Sequence, residues 1–261
     1  MTVKVGICLP QFRDEAEPSI RVALQAEAVG LDGVFAFDHL WPLGRPDRPA
    51  LHGQSLLGAL AAETERVTLG TLVARVGLVP DASLVHTLTS LARIAGGRFV
   101  AGLGTGDKAN RAENEAYGVP FARAAERLDA VVRCVRDLRG RGVTAWVGGL
   151  SLETRMVAAR EADGWNGWGL TVDAFAELAA DQPAPTWAGQ VLIGRDEAEA
   201  QAKFREHGDR PGLVHGTPET LAAHFAALEV AGARWAICAP LDVGTDESVP
   251  DLVAAAAMAA R

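Results

Sequence analysis

Val3-Lys4-Val5-Gly6-Ile7-Cys8-Leu9-Pro10-Gln11-Phe12 is the stretch that decides the fold class. It opens with a β-branched run suited to a buried strand. An open doubly wound sheet requires a glycine fingerprint directly after such a first strand, where the turn approaches a pyrophosphate. Leu9-Pro10-Gln11-Phe12 stands there instead. Outward from this segment, short β-branched runs alternate with helical stretches, the pattern of βαβ units and a parallel sheet. The strand candidates are Val3 to Leu9, Gly33 to Phe37, Val67 to Val73, Arg98 to Leu103, Val143 to Val147, a weak Trp165 to Trp168, Thr186 to Ile193 and Arg234 to Ala239. Helical periodicity covers Ser19 to Val29, Ser55 to Glu63, Ala82 to Ile94, Phe121 to Leu138, Leu152 to Glu161, Glu197 to Glu206, Pro218 to Val230 and Asp246 to Ala260, most of them closed by Gly or Asn. Eight alternations predict an α/β fold of the (β/α)8 TIM-barrel type. Its usual size of about 250 residues makes residues 1–261 a single domain.

Composition narrows the partners. Lys and Arg number 25 against 33 Asp and Glu, a net charge of −8. Phosphate backbones and anionic membranes need clustered cations, so nucleic acid and membrane are excluded and a small-molecule substrate is expected. Cys8, Cys134 and Cys238 lie far apart with no CxxC pair, which gives neither a disulfide framework nor a zinc knuckle. The N-terminus enters a strand without a basic region and apolar segment, and no apolar stretch approaches about 18 residues. A cytoplasmic protein is expected.

In a barrel the chemistry sits at the C-terminal strand ends. After the second strand comes Phe37-Asp38-His39-Leu40-Trp41-Pro42. Asp beside His can fix the tautomer and raise the basicity of the ring, and Trp can wall an aromatic ligand. Equally, Asp38 can cap the loop and His39 can be a satisfied, half-buried histidine. After the fourth strand, Gly102-Leu103-Gly104-Thr105-Gly106-Asp107-Lys108-Ala109-Asn110 permits close backbone approach to a flat or phosphorylated ligand. Its GxGxG spacing, with no helix directly after it, is not the dinucleotide fingerprint. After the fifth strand, Gly148-Gly149 precedes a helix starting near Leu152, either an anion site built from free N–H groups and the helix dipole or a plain turn with Ser151 as N-cap. The remaining histidines read as helix or surface residues, and His52 can reach a ligand from above. No HExxH, no metal-spaced ligand set and no GxSxG elbow occurs, so no metal is expected.

Taken together these segments resemble the bacterial-luciferase-like flavin and deazaflavin oxidoreductases. The matching stretches are Val5-Gly6-Ile7-Cys8-Leu9-Pro10, Ala26 to Phe35 leading into Asp38-His39, Arg66 to Thr71, Gly96-Gly97-Arg98-Phe99 before the Gly-Thr-Gly loop, Trp146-Val147-Gly148-Gly149, Ala162 to Asn166, and Gly216-Thr217-Pro218-Glu219. They cover nearly the whole chain in the right order. The resemblance implies coenzyme F420 or FMN as cofactor. Asp38-His39 with Trp41 is similar to the F420-dependent dehydrogenases, and the loop from Gly104 to Ala109 to the F420-dependent methylene-tetrahydromethanopterin reductases. It further implies a non-prolyl cis peptide at Leu72-Val73, an acid role for Asp107 where the sugar-phosphate dehydrogenases carry Glu, and a homodimer.

The expected activity is hydride transfer between the deazaflavin C5 and an organic substrate. His39, oriented by Asp38, is the acid/base candidate, with Asp107 second. Trp41, Leu72, Val73, Thr105, Gly106 and Asn110 would line the cofactor, and Gly148 and Gly149 would hold its phosphate. An FMN monooxygenase and a non-catalytic flavin- or deazaflavin-binding protein are the alternatives. Relative to the family, Arg139-Gly140-Arg141-Gly142 runs almost directly into Val143, and the region from Asp181 to Gly216 is short. That implies a compact barrel with trimmed insertions and an open pocket.

Overall fold

The computed structural model describes residues 2–261. Its strands are β1 (Lys4–Cys8), β2 (Gly33–Ala36), β3 (Thr68–Thr71), β4 (Ala74–Arg75), β5 (Phe99–Gly104), β6 (Thr144–Gly148), β7 (Gly164–Trp168), β8 (Thr186–Ile193), β9 (Val214–Gly216) and β10 (Trp235–Pro240). Going round the ring, β1, β2, β3, β5, β6, β7, β8 and β10 pair in parallel, and β10 pairs back onto β1. The expected (β/α)8 barrel is therefore closed. The helices are α1 (Glu17–Ala28), α2 (Gly53–Glu63), α3 (Asp81–Ile94), α4 (Arg111–Ala116), α5 (Ala124–Gly140), α6 (Leu152–Glu161), α7 (Val172–Ala179), α8 (Glu197–His207), α9 (Pro218–Val230) and α10 (Val249–Ala259). Among the described residues none of them is long and apolar enough to cross a membrane.

The strands are apolar on both faces because both are covered. Outside, Ile7, Val34, Leu69, Leu103 and Val147 belong to one core with helix residues such as Leu57, Leu60, Leu88 and Val131. Inside, Phe35, Trp146 and Trp235 form a second core with Leu72, Val100 and Ile237. Phe35 stacks on Trp146 at 6.2 Å and meets Trp235 edge-on at 5.5 Å, offset and edge-to-face arrangements that ring quadrupoles favour. Glycines on neighbouring strands make the room. A Cβ at Gly6 or Gly70 would come within 2.6 Å of the Phe35 ring, and one at Gly164 within 2.6 Å of Trp146. This plug fills the barrel's middle, so space for a ligand lies above it, at the C-terminal strand ends.

Four elements go beyond the sequence reading. The chain leaves the β3 ladder at Leu72-Val73, a cis non-prolyl peptide as expected, and resumes pairing on β5 as β4, with Ala74 opposite Leu103 and Arg75 opposite Gly104. β9 adds three residues beside the end of β8. The expectation that no helix follows the glycine loop is corrected: a 3-10 turn at Lys108–Asn110 leads straight into α4. Its six mostly polar residues carry no apolar stripe, which is why periodicity missed it. α7 has eight residues and buries Phe175, which stacks on Trp165. Between α5 and β6 the chain turns through Arg141 and Gly142 alone before Val143, the trimmed connection that the sequence implied.

Candidate functional site

Gln11 fixes the rim where β1 and β2 end. Fully buried, it accepts from the Phe37 N–H at 2.6 Å and donates to the Phe37 and Leu51 carbonyls. Its amide thereby pairs three backbone groups of the partly buried rim. Asp38 and His39 follow directly, and they do not work as a pair. The Asp38 carboxylate accepts the backbone N–H of Arg75 at 2.6 Å, which ties β2's end to β4. His39 Nδ1 instead lies 3.1 Å from Glu113 Oε1. The carboxylate in contact with the His39 ring is thus Glu113 and not Asp38, whose Oδ2 is bonded to the backbone.

Glu113 is completely buried in α4, with Oε2 2.6 Å from the Arg75 guanidinium. Burial pushes its carboxyl up, but the hydrogen bond from His39, followed by the Arg75 guanidinium, outweighs that and holds it below the usual range. Asn110 completes the cluster. Its side-chain amide nitrogen is 3.4 Å from His39 Nδ1 and 3.5 Å from Glu113 Oε2, while its oxygen accepts the Asp107 N–H at 2.8 Å. Asp107 is exposed, and its carboxylate accepts the Ala109 N–H as the cap of the 3-10 turn. The structure therefore brings His39 and Asn110 together and leaves Asp107 at the rim.

The glycine loop and the cis bond form one cleft. The Val73 side chain backs the bare ends of β5 and β6: a Cβ at Gly104 would fall 2.5 Å from it and one at Gly148 2.8 Å. Gly106 takes φ +65, and a Cβ there would come within 2.7 Å of Arg75 Cδ. Arg75 Nε and Nη2 are buried beside it with no partner. Leu72 lies in the inner core. The Thr105 carbonyl accepts from Arg127 Nε at 2.8 Å, and the guanidiniums of Arg127 and Arg111 lie 4.1 and 4.9 Å from the Phe121 ring. Burial, then the neighbouring Arg111 charge, lowers the Arg127 pKa.

Gly149 is corrected as a source of a free N–H, because it donates to the Asn166 carbonyl at 3.2 Å. Its own carbonyl accepts the Trp165 indole N–H, and it packs against Thr154 with φ +145. Ser151 caps α6 through the Thr154 N–H. Gly148 and Gly149 thus shape the backbone here, and any anion site falls to the helix N-terminus. Trp41 is half-buried and meets Tyr117 at 6.4 Å, on the side of the mouth that α4 covers. Phe37 stacks on Phe12 at 5.9 Å and meets Trp168 edge-on at 5.6 Å, an apolar wall across the mouth beside His39.

Sequence reasoning missed Glu113, Arg75 and Arg127. One signal was there for the pair: Arg75 interrupts the apolar run Leu72-Val73-Ala74-Arg75-Val76, and a buried Arg demands a buried acid. Close packing of Val73 on Gly104 and Gly148 leaves a smooth, side-chain-poor surface at the ends of β5 and β6, which suits a flat cofactor, and two buried Arg75 nitrogens behind it have no hydrogen-bond partner. Among the described residues no group of three or more His, Cys, Asp or Glu side chains is placed to hold a metal ion.

A sequence model of the luciferase-like monooxygenases matches residues 3–210. The chain belongs to this family. An F420-dependent glucose-6-phosphate dehydrogenase of Kineococcus radiotolerans is 36% identical to this luciferase-like chain over 118 residues, 45% of this chain and 34% of that relative. The chain spans about a third of the length of the curated relatives it matches first. An F420-dependent secondary alcohol dehydrogenase, solved in complex with an F420-acetone adduct, superposes with a TM-score of 0.81 at 15% identity over 100% of both chains. The oxygenating constituent of 3,6-diketocamphane monooxygenase from Pseudomonas putida, in complex with FMN, gives 0.75 at 14% identity over 99% of this chain and 97% of that one. At these identities the likeness speaks for the luciferase-like barrel alone.

Proposed function

We propose that this luciferase-like protein is an F420-dependent oxidoreductase that moves a hydride between the deazaflavin and a small organic substrate in the barrel mouth. The observation that carries this reading is the arrangement at the strand ends: half-buried His39 lies against Glu113 and Asn110, the Val73 side chain packs on Gly104 and Gly148, and two buried Arg75 nitrogens behind them have no hydrogen-bond partner. The names of the curated relatives support F420 over other flavin-like cofactors. Leu72, Val73, Thr105, Gly106 and Asn110 would line the ring system, with Trp41 toward the outer wall. Arg111 and Arg127 would meet the anionic tail together with the N-terminus of α6. The cofactor supplies the carbon that exchanges hydride, and His39 moves the proton at the substrate oxygen. Phe12, Phe37 and Trp168 would pack the substrate's carbon skeleton. The expected setting is a cytoplasmic homodimer.

The second reading, an FMN monooxygenase, draws on the superposition with an FMN complex. Assays of the purified protein with a panel of alcohols and aldehydes separate the two. The proposal expects bleaching of the F420 absorbance without oxygen uptake; oxygen consumption with reduced FMN and no F420 turnover would overturn it.

A further inference from the structure

Glu113 and Arg75 sit behind His39 rather than in the mouth, and their geometry constrains where the histidine proton lies. The Glu113 side chain has no exposed surface and that of Arg75 is 4% exposed. A carboxylate clamped by a guanidinium 2.6 Å away is ionised, and an ionised carboxylate only accepts hydrogen bonds. The 3.1 Å contact between Glu113 Oε1 and His39 Nδ1 must then be donated by the ring. Asn110 lies near the same ring nitrogen, but at 3.4 Å, and its amide nitrogen is also directed at Glu113 Oε2. Among the described residues no group bonds Nε2, which is not among the buried orphaned atoms, and the His39 side chain is 23% exposed.

We infer that Glu113, locked by Arg75, is a positioning residue that holds neutral His39 with its proton on Nδ1, so that the Nε2 lone pair faces the mouth as the acceptor for a substrate hydroxyl proton. The direction this favours is alcohol oxidation, and that part rests on the hydride-transfer reading above. With the deazaflavin bound, the carbinol hydrogen would leave with the C–H electron pair as hydride to the cofactor, which would be the group reduced. The O–H bond breaks with its proton passing to Nε2, and the C=O bond forms. A substrate with a hydroxyl on the carbon that gives up hydride is thereby selected. The placement of the ring proton stands without any cofactor.

The test is the ring 15N chemical shifts of His39 in cofactor-free, 15N-labelled protein, at a pH where the ring is neutral, assigned by their loss in His39→Gln. The expected pattern is a protonated Nδ1 and an unprotonated Nε2, with a shift toward the Nε2–H form in Glu113→Gln and in Arg75→Met. A wild-type ring protonated on Nε2 overturns the inference, as does a Glu113→Gln ring with the wild-type pattern. If the variants do not fold, the wild-type spectrum decides by itself. Where turnover is measurable, Glu113→Gln lowers kcat by about 10- to 100-fold with little change in KM. F420 turnover with an Nε2–H ring removes this inference alone, whereas an Nδ1–H ring without F420 turnover removes only the functional reading.

Discussion

Two buried ion clusters stand at the same end of the barrel, and they are built to opposite ends. In one, His39, Glu113, Arg75 and Asn110 join the ends of β2, β4 and α4. In the other, Lys203 of α8 donates to the Ile193 carbonyl at 2.7 Å and lies 2.7 and 2.6 Å from Asp242 and Asp246, fastening the loop after β10 onto the end of β8. The lysine cluster is a charge-paired clasp: the Lys203 ammonium hydrogen-bonds the Ile193 carbonyl and Asp246 and pairs by charge with Asp242, whose two buried oxygens have no hydrogen-bond partner, and the Lys203 side chain is 12% exposed. The histidine cluster is the more open one: the His39 side chain is 23% exposed, and behind it two buried guanidinium nitrogens have no hydrogen-bond partner. Both clusters hold unpaired polar atoms, so position and chemistry separate them: Lys203 ties a loop to a strand end, whereas His39 sets a titratable ring at the strand ends where ligands of such barrels bind.

The comparison breaks most sharply on function. His39→Ala should lower F420-dependent turnover by about 10²- to 10⁴-fold, the usual weight of a positioned acid/base, with the thermal midpoint unchanged. Equal turnover in the variant would make the open cluster merely structural. Lys203→Met should do the reverse, costing about 3 kcal/mol in urea unfolding because two carboxylates lose their buried partner, while kcat stays put. A large kcat loss with unaltered stability would erase the distinction between the clusters.

The lysine cluster also sets an acid limit. Burial pushes Asp246 up, but its bonds to Lys203 and Ser248 outweigh that and bring it down to about 2 from an ordinary 3.8. A depressed carboxyl stabilises the fold at pH above the unfolded value, and that stability is lost as pH falls from about 4 toward about 2. In Lys203→Met the loss over that window should shrink, which urea midpoints at several pH values would read.

The barrel was legible because its signal is periodic. Thr186–Ile193, Leu152–Glu161 and Pro218–Val230 lie where the apolar pattern puts them. The place of His39 just past a strand end was legible too, since an imidazole with an acid beside it stands out in the sequence. The identity of its partner was not. Asp38 is adjacent in sequence, whereas Glu113 is 74 residues away and reaches the ring only because α4 folds back over β2's end. Adjacency favoured the wrong carboxylate, and the backbone N–H of Arg75 had the prior claim on Asp38. Gly149 shows the same limit: two glycines before a helix look like an anion cradle until Asn166, from the next strand, takes the N–H.

The most direct test of the account is a parallel fluorescence titration of the purified protein with F420 and FMN, repeated on Gly106→Val, whose Cβ would fall 2.7 Å from Arg75 Cδ and 3.0 Å from Asn110 Oδ1 and so displace both. Tighter binding of F420 than FMN, weakened in the variant, is the predicted result. Tighter FMN binding, no F420 binding, or F420 binding indifferent to Gly106 would contradict it.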